Sequence, residues 1–153
     1  MKYLITFLIS MIPLVELRGA VPYGIGVGLP MWQAIIIGVI GNMLPVPIIF
    51  FFARRVLEWG ADKPVIGGFF SWCLKKGHNG GQKLAKSAGD KGLYFALFLF
   101  VGIPLPGTGA WTGTLAASIL DLKFKNSIIA VIAGVILAGF IMGFGSVIVK
   151  SFF

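Results

Sequence analysis

The sequence predicts an all-α integral membrane protein made of two inverted repeats. Three observations predict this class: an apolar composition, two long uncharged runs, and two shorter apolar runs that end in residues unable to continue a helix. Each repeat is expected to be a re-entrant helical hairpin followed by one full transmembrane helix. A basic, amphipathic cytoplasmic segment, residues 54–91, is expected to join repeat 1 (residues 3–53) to repeat 2 (residues 93–149) in a single membrane domain.

The composition argues against a water-soluble fold. Of the 153 residues, 58% are hydrophobic and only 12% are charged, whereas a soluble domain carries about 25% charged residues. The mean hydropathy is +0.96. A formal net charge of +8 would suggest nucleic acid as the partner of a soluble protein, but in a membrane protein the placement of Lys and Arg reports on topology instead. We therefore expect membrane lipids and no nucleic acid as partners.

Two runs, Met31 to Ala53 and Asn126 to Val149, are long enough to cross the bilayer. A hydrocarbon core of about 30 Å needs about 20 helical residues. Both runs are uncharged and end at cations, Arg54 and Arg55 for the first and Lys150 for the second. They predict the two full spans.

Two other apolar runs, Tyr3 to Val15 and Leu93 to Ile103, are too short to cross. The first leads into the polar stretch 16–22 and the second into residues 104–113, and both stretches contain Gly and Pro residues that interrupt a regular helix. We call these two interruptions, residues 16–22 and 104–113, the first and second tips. A further short apolar stretch follows each tip and can carry the chain back to the membrane face from which it came. This order predicts two re-entrant hairpins.

Weak self-similarity supports the repeat. Residues 12–14 match residues 103–105, both Ile-Pro-Leu, at an offset of 91. Residues 38–40 match residues 134–136, both Gly-Val-Ile, at an offset of 96. Each match lies at the same place in the order of hairpin and span.

The basic segment 54–91 sets the predicted topology. It carries eight basic and three acidic residues, so the positive-inside rule places it in the cytoplasm and both termini outside. The two halves then have opposite orientations.

Aromatic residues among the lysines of the basic segment favour an interfacial helix on the anionic inner leaflet. The alternative is a soluble helix packed on the protein's own cytoplasmic face. Two further readings are that His78 is a flexible loop residue and Cys73 an unreactive thiol.

Glu16 and Arg18 are the two charges predicted to lie at membrane depth. Each costs about 2.5 to 3.5 kcal/mol at the centre of an inserted helix, so such a charge indicates function by default. Residues two apart on a helix point about 200° apart. A direct pair therefore requires that the helix has ended, as Gly19 and Pro22 permit; otherwise each charge needs the opposing tip or a substrate as partner. The alternative is a structural pair that locks the tip.

The second tip has no charge but offers hydroxyl groups and backbone dipoles. Exposed N–H groups at a broken helix favour anions, and unwound carbonyl groups favour cations. The alternative for its small residues is close helix packing. The candidate substrate- or ion-binding residues of both tips are Glu16, Arg18, Pro22, Pro104, Pro106, Gly107, Thr108, Gly109, Trp111 and Thr112. No catalytic set, metal-ligand spacing or cofactor motif is found, so an enzyme is not expected.

Residues 13–24, with Pro13, Glu16-Leu-Arg18-Gly19 and Pro22, and residues 102–113, with Pro104-Leu-Pro106-Gly107, resemble the small multi-drug export family of prokaryotic membrane proteins. The resemblance covers nearly the whole chain. More distantly, the layout is similar to the DedA-like membrane proteins, whose facing re-entrant hairpins are thought to move polyprenyl phosphate or other lipids. Those proteins place an arginine near the second turn, and this chain has none there.

The leading hypothesis is a small secondary transporter in the prokaryotic inner membrane, moving an amphiphilic substrate by alternating access. Glu16 would be a proton or small-cation site, and Arg18 an anion or orientation site. The alternatives are a polyprenyl-phosphate or lipid flippase and a non-transporting membrane assembly module. Because 153 residues are few to enclose a cavity, a homodimer is plausible.

Overall fold

The computed structural model consists of seven α-helices. It describes the whole backbone and the surroundings of all residues except Cys73, Lys76, Gly77, Gly80, Gly81, Lys83, Leu84 and Ala85. The interpretation of Cys73 as an unreactive thiol thus lies outside the described residues. The helices are α1 (Lys2–Met11), α2 (Glu16–Gly26), α3 (Met31–Met43), α4 (Val46–Ala61), α5 (Gly67–Gly102), α6 (Ala110–Ile119) and α7 (Phe124–Phe152).

Prolines set both interruptions between short helices. Ile12 ends α1 with φ −70° and ψ 128°, and Ile103 ends α5 with φ −82° and ψ 118°. Each precedes a proline, whose ring disfavours helical backbone at the residue before it. The two interruptions, which we call the first break (residues 12–15) and the second break (residues 103–109), thus begin in the same way 91 residues apart.

The first break lies earlier than the sequence predicts. The stretch 16–22, expected to interrupt the helix, instead begins α2, and Pro22 lies inside that helix. Pro13 ends the preceding helix first, so the chain has already turned before Gly19 and Pro22. A proline within a membrane helix costs one backbone hydrogen bond, and neighbouring helices allow this. The second break, by contrast, falls within the predicted stretch 104–113.

In the part of the chain that the structure describes, two helical stretches, Met31–Ala61 and Phe124–Phe152, are long and apolar enough to cross a membrane. They contain the two predicted spans and are candidate spans by length and composition. The first stretch consists of α3 and α4, which meet at Leu44 and Pro45, where the backbone stays near helical geometry. This junction is not predicted by the sequence analysis.

The segment 54–91 is mostly helical. Helix α4 continues to Ala61, helped by an ion pair of 2.9 Å between Arg54 and Glu58 one turn apart. Helix α5 contains His78, so the prediction of a flexible loop at this residue is wrong. The backbone of α5 leaves helical geometry at Gly89, with φ 69° and ψ 168°.

The helices pack as two groups of three, with α1, α2 and α3 in contact in the first and α5, α6 and α7 in the second. The groups meet where α2 and α3 contact α7. Helix α4, which follows α3, packs against α5 and α6. Small residues allow close approach: a Cβ atom at Gly134 would overlap Val101 and the backbone of Phe98. The shared core includes Leu17, Val131 and Val135.

The turns that lead into α3 and α7 have the same hydrogen bonds. In the first, Leu29 N–H donates to Gly24 O at 2.8 Å, and Gly28 between them has φ 85°. This is the Schellman pattern that ends many helices. The second turn repeats it 93 residues later, with a 2.9 Å bond donated by Leu122 N–H and with Asp121 (φ 61°) at the position of Gly28.

Candidate functional site

The candidate site is the contact between the start of α2 and the second break. Glu16, the first residue of α2, is only 2% exposed. Its carboxylate accepts hydrogen bonds from Ala110 N–H at 3.1 Å and Trp111 N–H at 2.9 Å. These are the first two residues of α6, where helix N–H groups lack partners and the dipole favours an anion. Glu16 therefore caps a helix 94 residues away in sequence.

Gly109 leaves room for the carboxylate. Its φ of 138° and ψ of −173° lie in a backbone region that is essentially restricted to glycine. A Cβ atom at this position would overlap both carboxylate oxygens of Glu16. The residue before α6 thus allows both the backbone conformation and the approach of Glu16.

Arg18 binds the opposite end of the second break. Its Nη1 donates to Leu105 O at 2.5 Å, and its Nη2 lies 3.2 Å from Ile103 O and 2.7 Å from Thr108 Oγ1. A longer contact of 3.4 Å reaches Val101 O. These carbonyl groups follow the C-terminal end of α5, where unpaired C=O groups favour a cation.

Thr108 closes the second break around these carbonyl groups. Its Oγ1 lies 2.8 Å from Ile103 O and 2.9 Å from Leu105 O. Gly107 precedes it with φ 80°, a left-handed conformation that glycine adopts without strain. The break is thereby a compact loop that presents N–H groups at one end and carbonyl groups at the other.

Glu16 and Arg18 each bind the opposing tip, and no salt bridge joins them in the described part of the chain. Glu16 is the first residue of α2 and has φ 53°, and Arg18 follows on the first turn of the helix. Pro104 and Pro106 shape the break, and Thr112 lies on the first turn of α6. Pro22 lies elsewhere, along a groove between α2 and α7.

Several buried polar groups have no hydrogen-bond partner among the described residues. They are the Asn42 amide, the Trp111 indole N–H, and the Thr114 and Ser127 hydroxyl groups. An unpaired buried donor or acceptor costs about 1–3 kcal/mol. Asn42 and Ser127 are missed by the sequence analysis, because an isolated polar residue in an apolar run does not reveal which neighbours surround it.

A polar cluster around Asp121 is also missed. Arg54 donates to Asp121 and, at 2.9 Å, to Glu58, while His78 Nδ1 lies 3.7 Å from Asp121. The cluster lines a cavity of about 400 Å³ between α4, α5 and α6. No group of three His, Cys, Asp or Glu residues within the described part of the chain is placed to hold a metal ion.

A second cavity is the groove between α2 and α7, with a volume of about 640 Å³. Its walls are apolar, and Lys150 lies at its end. The Lys150 ammonium donates to Ile25 O at 3.1 Å. The sequence analysis treats Lys150 only as an anchor of the second span. Arg54 and Lys150 are separated by 96 residues, the same offset that relates residues 38–40 to residues 134–136. Arg54 lines the first cavity and Lys150 lines the second, so this correspondence is the signal in the sequence that points to both.

Two helical stretches that are long and apolar enough to cross a membrane, and charged side chains bound at helix breaks, are features of a helical membrane protein. The chain belongs to the family described as "Putative small multi-drug export protein", whose family model matches residues 16–141. The match begins at Glu16 and includes both tips, and it confirms the family that the motifs suggest. No curated protein and no solved structure matches the chain. The family description supports an exporter in the membrane over an enzyme.

Proposed function

We propose that this protein is a small secondary transporter that moves an amphiphilic substrate by alternating access, with the contact between the tips as its gate. The observation that carries the proposal is that Glu16 and Arg18 bind the two ends of the second break. Broken helices that meet near the midplane are a recurrent construction of secondary transporters. The export family to which the chain belongs also supports this class.

Protonation or the binding of a ligand would break the contact that forms the gate. The Glu16 carboxylate is held by two N–H groups without a cationic partner in hydrogen-bond contact. Protonation would remove the charge that the end of α6 attracts and weaken the contact. An anionic group of a substrate would compete for Arg18 with the carbonyl groups of Ile103 and Leu105. Either event would favour separation of the tips.

The inverted repeat is supported by three correspondences. The breaks begin at Ile12 and Ile103, and the turns into α3 and α7 share their hydrogen bonds. The contacts of α2 with α7 have their counterpart in those of α6 with α4. If the halves are inverted, the 640 Å³ groove and the 400 Å³ cavity would open toward opposite faces and serve as the two vestibules.

Two alternative functions are kept. A polyprenyl-phosphate or lipid flippase is favoured by the Arg18 guanidinium, which is suited to bidentate binding of a phosphate. A non-transporting assembly module is favoured by the fact that both charges already have protein partners. A homodimer remains part of the proposal, because a chain of this length gains an enclosed path by pairing.

Proteoliposomes with an imposed proton gradient test the proposed function. The wild type is expected to transport a lipophilic cation such as ethidium, or an anionic lipid analogue, at a rate that depends on the gradient. Glu16→Gln is expected to abolish that dependence, and Asp62→Asn, at an exposed carboxylate that lines neither cavity, is the control. A wild type that moves neither class of compound would overturn the transporter proposal and favour the assembly module.

A further inference from the structure

We propose that the groove between α2 and α7 binds an anionic amphiphile with a single acyl chain, and that Lys150 binds its head group. The walls are mostly apolar side chains and glycine: Pro22, Ile25 and Gly26 on α2, and Ile141, Met142 and Val149 on α7. The hydroxyl group of Ser146, which also lines the groove, donates to the backbone of its own helix at Met142 O. The volume of about 640 Å³ is within the range of small-molecule sites. This inference names a substrate class for the proposed transporter. The role of the ligand in transport rests on the proposed function, whereas binding of the ligand to the groove does not.

Two ammonium groups bind carbonyl groups at or just after the C-terminal end of α2, and one of them, that of Lys150, lines the groove. Lys150 donates to Ile25 O at 3.1 Å, and Lys2 donates to Gly28 O at 3.2 Å. The carbonyl groups at a helix end attract cations. Each ammonium has three donors, and one carbonyl contact leaves the others available to a ligand.

Neither lysine has an acidic partner among the residues that the structure describes. The five acidic residues of the chain are Glu16, Glu58, Asp62, Asp90 and Asp121. None of these is on α1 or α7, or in the turn between α2 and α3. The positive charge at this end of the groove is therefore not neutralised by an acidic side chain of the described part of the chain, and it is available to an anionic ligand.

The other half of the molecule shows the same arrangement with its anion built in. Arg54 precedes Lys150 by 96 residues, and Asp121 follows Gly28 by 93 residues at the same position of the same turn. In one turn the Asp121 carboxylate binds Arg54. In the other turn glycine replaces the aspartate, so Lys150 lacks the neutralising group that its counterpart has.

The apolar walls decide the chemistry of the anion. A free inorganic anion would gain nothing from the side chains of Ile141, Met142 and Val149, whereas an acyl chain buries its methylene groups against them. Gly26 and Gly145 leave further room, because a Cβ atom at either would meet no atom within 4 Å. A carboxylate or other compact anion on one chain fits both features. The competing explanation is a lysine that only reaches toward water from the end of a span.

Binding to the full-length protein in phosphatidylcholine nanodiscs tests the inference. The probe is dansyl-labelled undecanoic acid, detected by its fluorescence. We expect saturable binding that laurate displaces and that dodecyltrimethylammonium, a cation with the same chain, does not. Equal displacement by both compounds, or no saturable binding, would overturn the proposal.

Substitutions at Lys150 test the head-group contact. Lys150→Gln should weaken binding about tenfold or more, which is the effect of losing a charged hydrogen bond. Lys150→Arg should bind within about threefold of wild type, because it keeps the charge. Lys125→Gln, at the other end of α7, is the matched control and should bind as wild type does. If Lys150→Gln binds as wild type does, the lysine only reaches toward water.

Substitutions at two glycines give tests that keep Lys150. Gly28→Asp recreates the Asp121 arrangement and should weaken binding about tenfold or more, whereas Gly28→Asn, which also tolerates positive φ, should not. Gly145→Leu should block the groove, and Gly68→Leu, at another glycine with open space around its Cβ position, should have no effect. Wild-type binding by both Gly28→Asp and Gly145→Leu would overturn the site.

The binding experiment and the transport experiment can fail independently, because binding is measured without a proton gradient. If Glu16→Gln has no effect on transport while binding to the groove persists, only the proposed function is contradicted.

Discussion

Glu16 accepts a hydrogen bond from Ala110 N–H at 3.1 Å, so a buried carboxylate of the first half caps a helix of the second. Arg18, two residues later, binds carbonyl groups at the other side of the same break. The negative charge of Glu16 lies at the N-terminal end of α6, and the positive charge of Arg18 lies at the C-terminal end of α5, as the helix dipoles favour. This relationship makes the strength of the contact between the tips measurable by single substitutions.

The first prediction concerns the cap on α6. Glu16→Gln removes the charge and one of two acceptor oxygens, so an N–H group of Ala110 or Trp111 loses its partner. The expected loss of stability is about 1–3 kcal/mol, measured as a lower melting temperature of the purified protein in detergent. Glu58→Gln changes a carboxylate whose side chain is 54% exposed and is expected to have little effect. Equal melting temperatures for Glu16→Gln and wild type would contradict the capping role.

The second prediction compares two glycines of the second break. Gly109→Ala places a Cβ atom against the Glu16 carboxylate in a backbone region reserved for glycine. Its destabilisation should therefore exceed the about 1–3 kcal/mol of backbone strain alone. Gly107→Ala has positive φ but open space around the Cβ position, and should cost only about 1–2 kcal/mol. Thermal unfolding in one detergent measures both, and a reversed order would be inconsistent with the described contact.

The third prediction separates the classes of cargo. The planar Arg18 guanidinium matches a phosphate in a way that a lysine ammonium cannot. If the cargo is an anionic lipid, Arg18→Lys should reduce transport more than Glu16→Gln does; if it is a lipophilic cation, Glu16→Gln should be the damaging change. Transport of polyprenyl phosphate and of ethidium by proteoliposomes distinguishes the cases.

Arg55→Lys, at an arginine outside the tips, is the control for the third prediction. Arg18→Lys also exchanges a forked donor for a single ammonium against Ile103 O and Leu105 O, so its melting temperature is measured alongside. Folded Arg18→Lys and Glu16→Gln variants that transport both compounds like wild type would show that the pair has only a structural role.

The fourth prediction concerns topology. With the basic segment inside, single cysteines at positions 2 and 150 should react with an impermeant maleimide added to intact cells, in a Cys73→Ser background. A cysteine at Lys63 should react only after the membrane is opened. Protection of position 2 or position 150 in intact cells would rule out the inverted arrangement.

The spans and the second break could be predicted because they depend on local sequence. An apolar run of sufficient length and a proline after Ile103 act through hydropathy and backbone sterics alone. The first break begins earlier than the sequence predicts, and Gly19 and Pro22, which the sequence favours as the interruption, lie inside α2. Pro13 already stops the helix, and once the chain has turned, a new helix can include Pro22 near its middle.

The partners at the site depend on tertiary structure. The sequence shows that Glu16 and Arg18 need partners and offers the opposing tip as one possibility. It does not show that the two charges reach opposite ends of one break, since this depends on how the start of α2 lies against the second break in the folded chain. The contact of Arg54 with Asp121, and the absence of an acid beside Lys150, likewise join residues far apart in the chain.

The 94-residue separation between Glu16 and its hydrogen-bond donor Ala110 has a consequence for synthesis. At about 5–20 residues per second, Glu16 and Arg18 leave the ribosome about 5–20 seconds before the groups that bind them. Isolated charges in hydrocarbon are costly, so during that interval we expect both side chains to stay near water or a chaperone. Stable insertion of α1 and α2 is therefore expected only after α6 has begun to be translated, and a nascent chain truncated before residue 110 should remain loosely inserted.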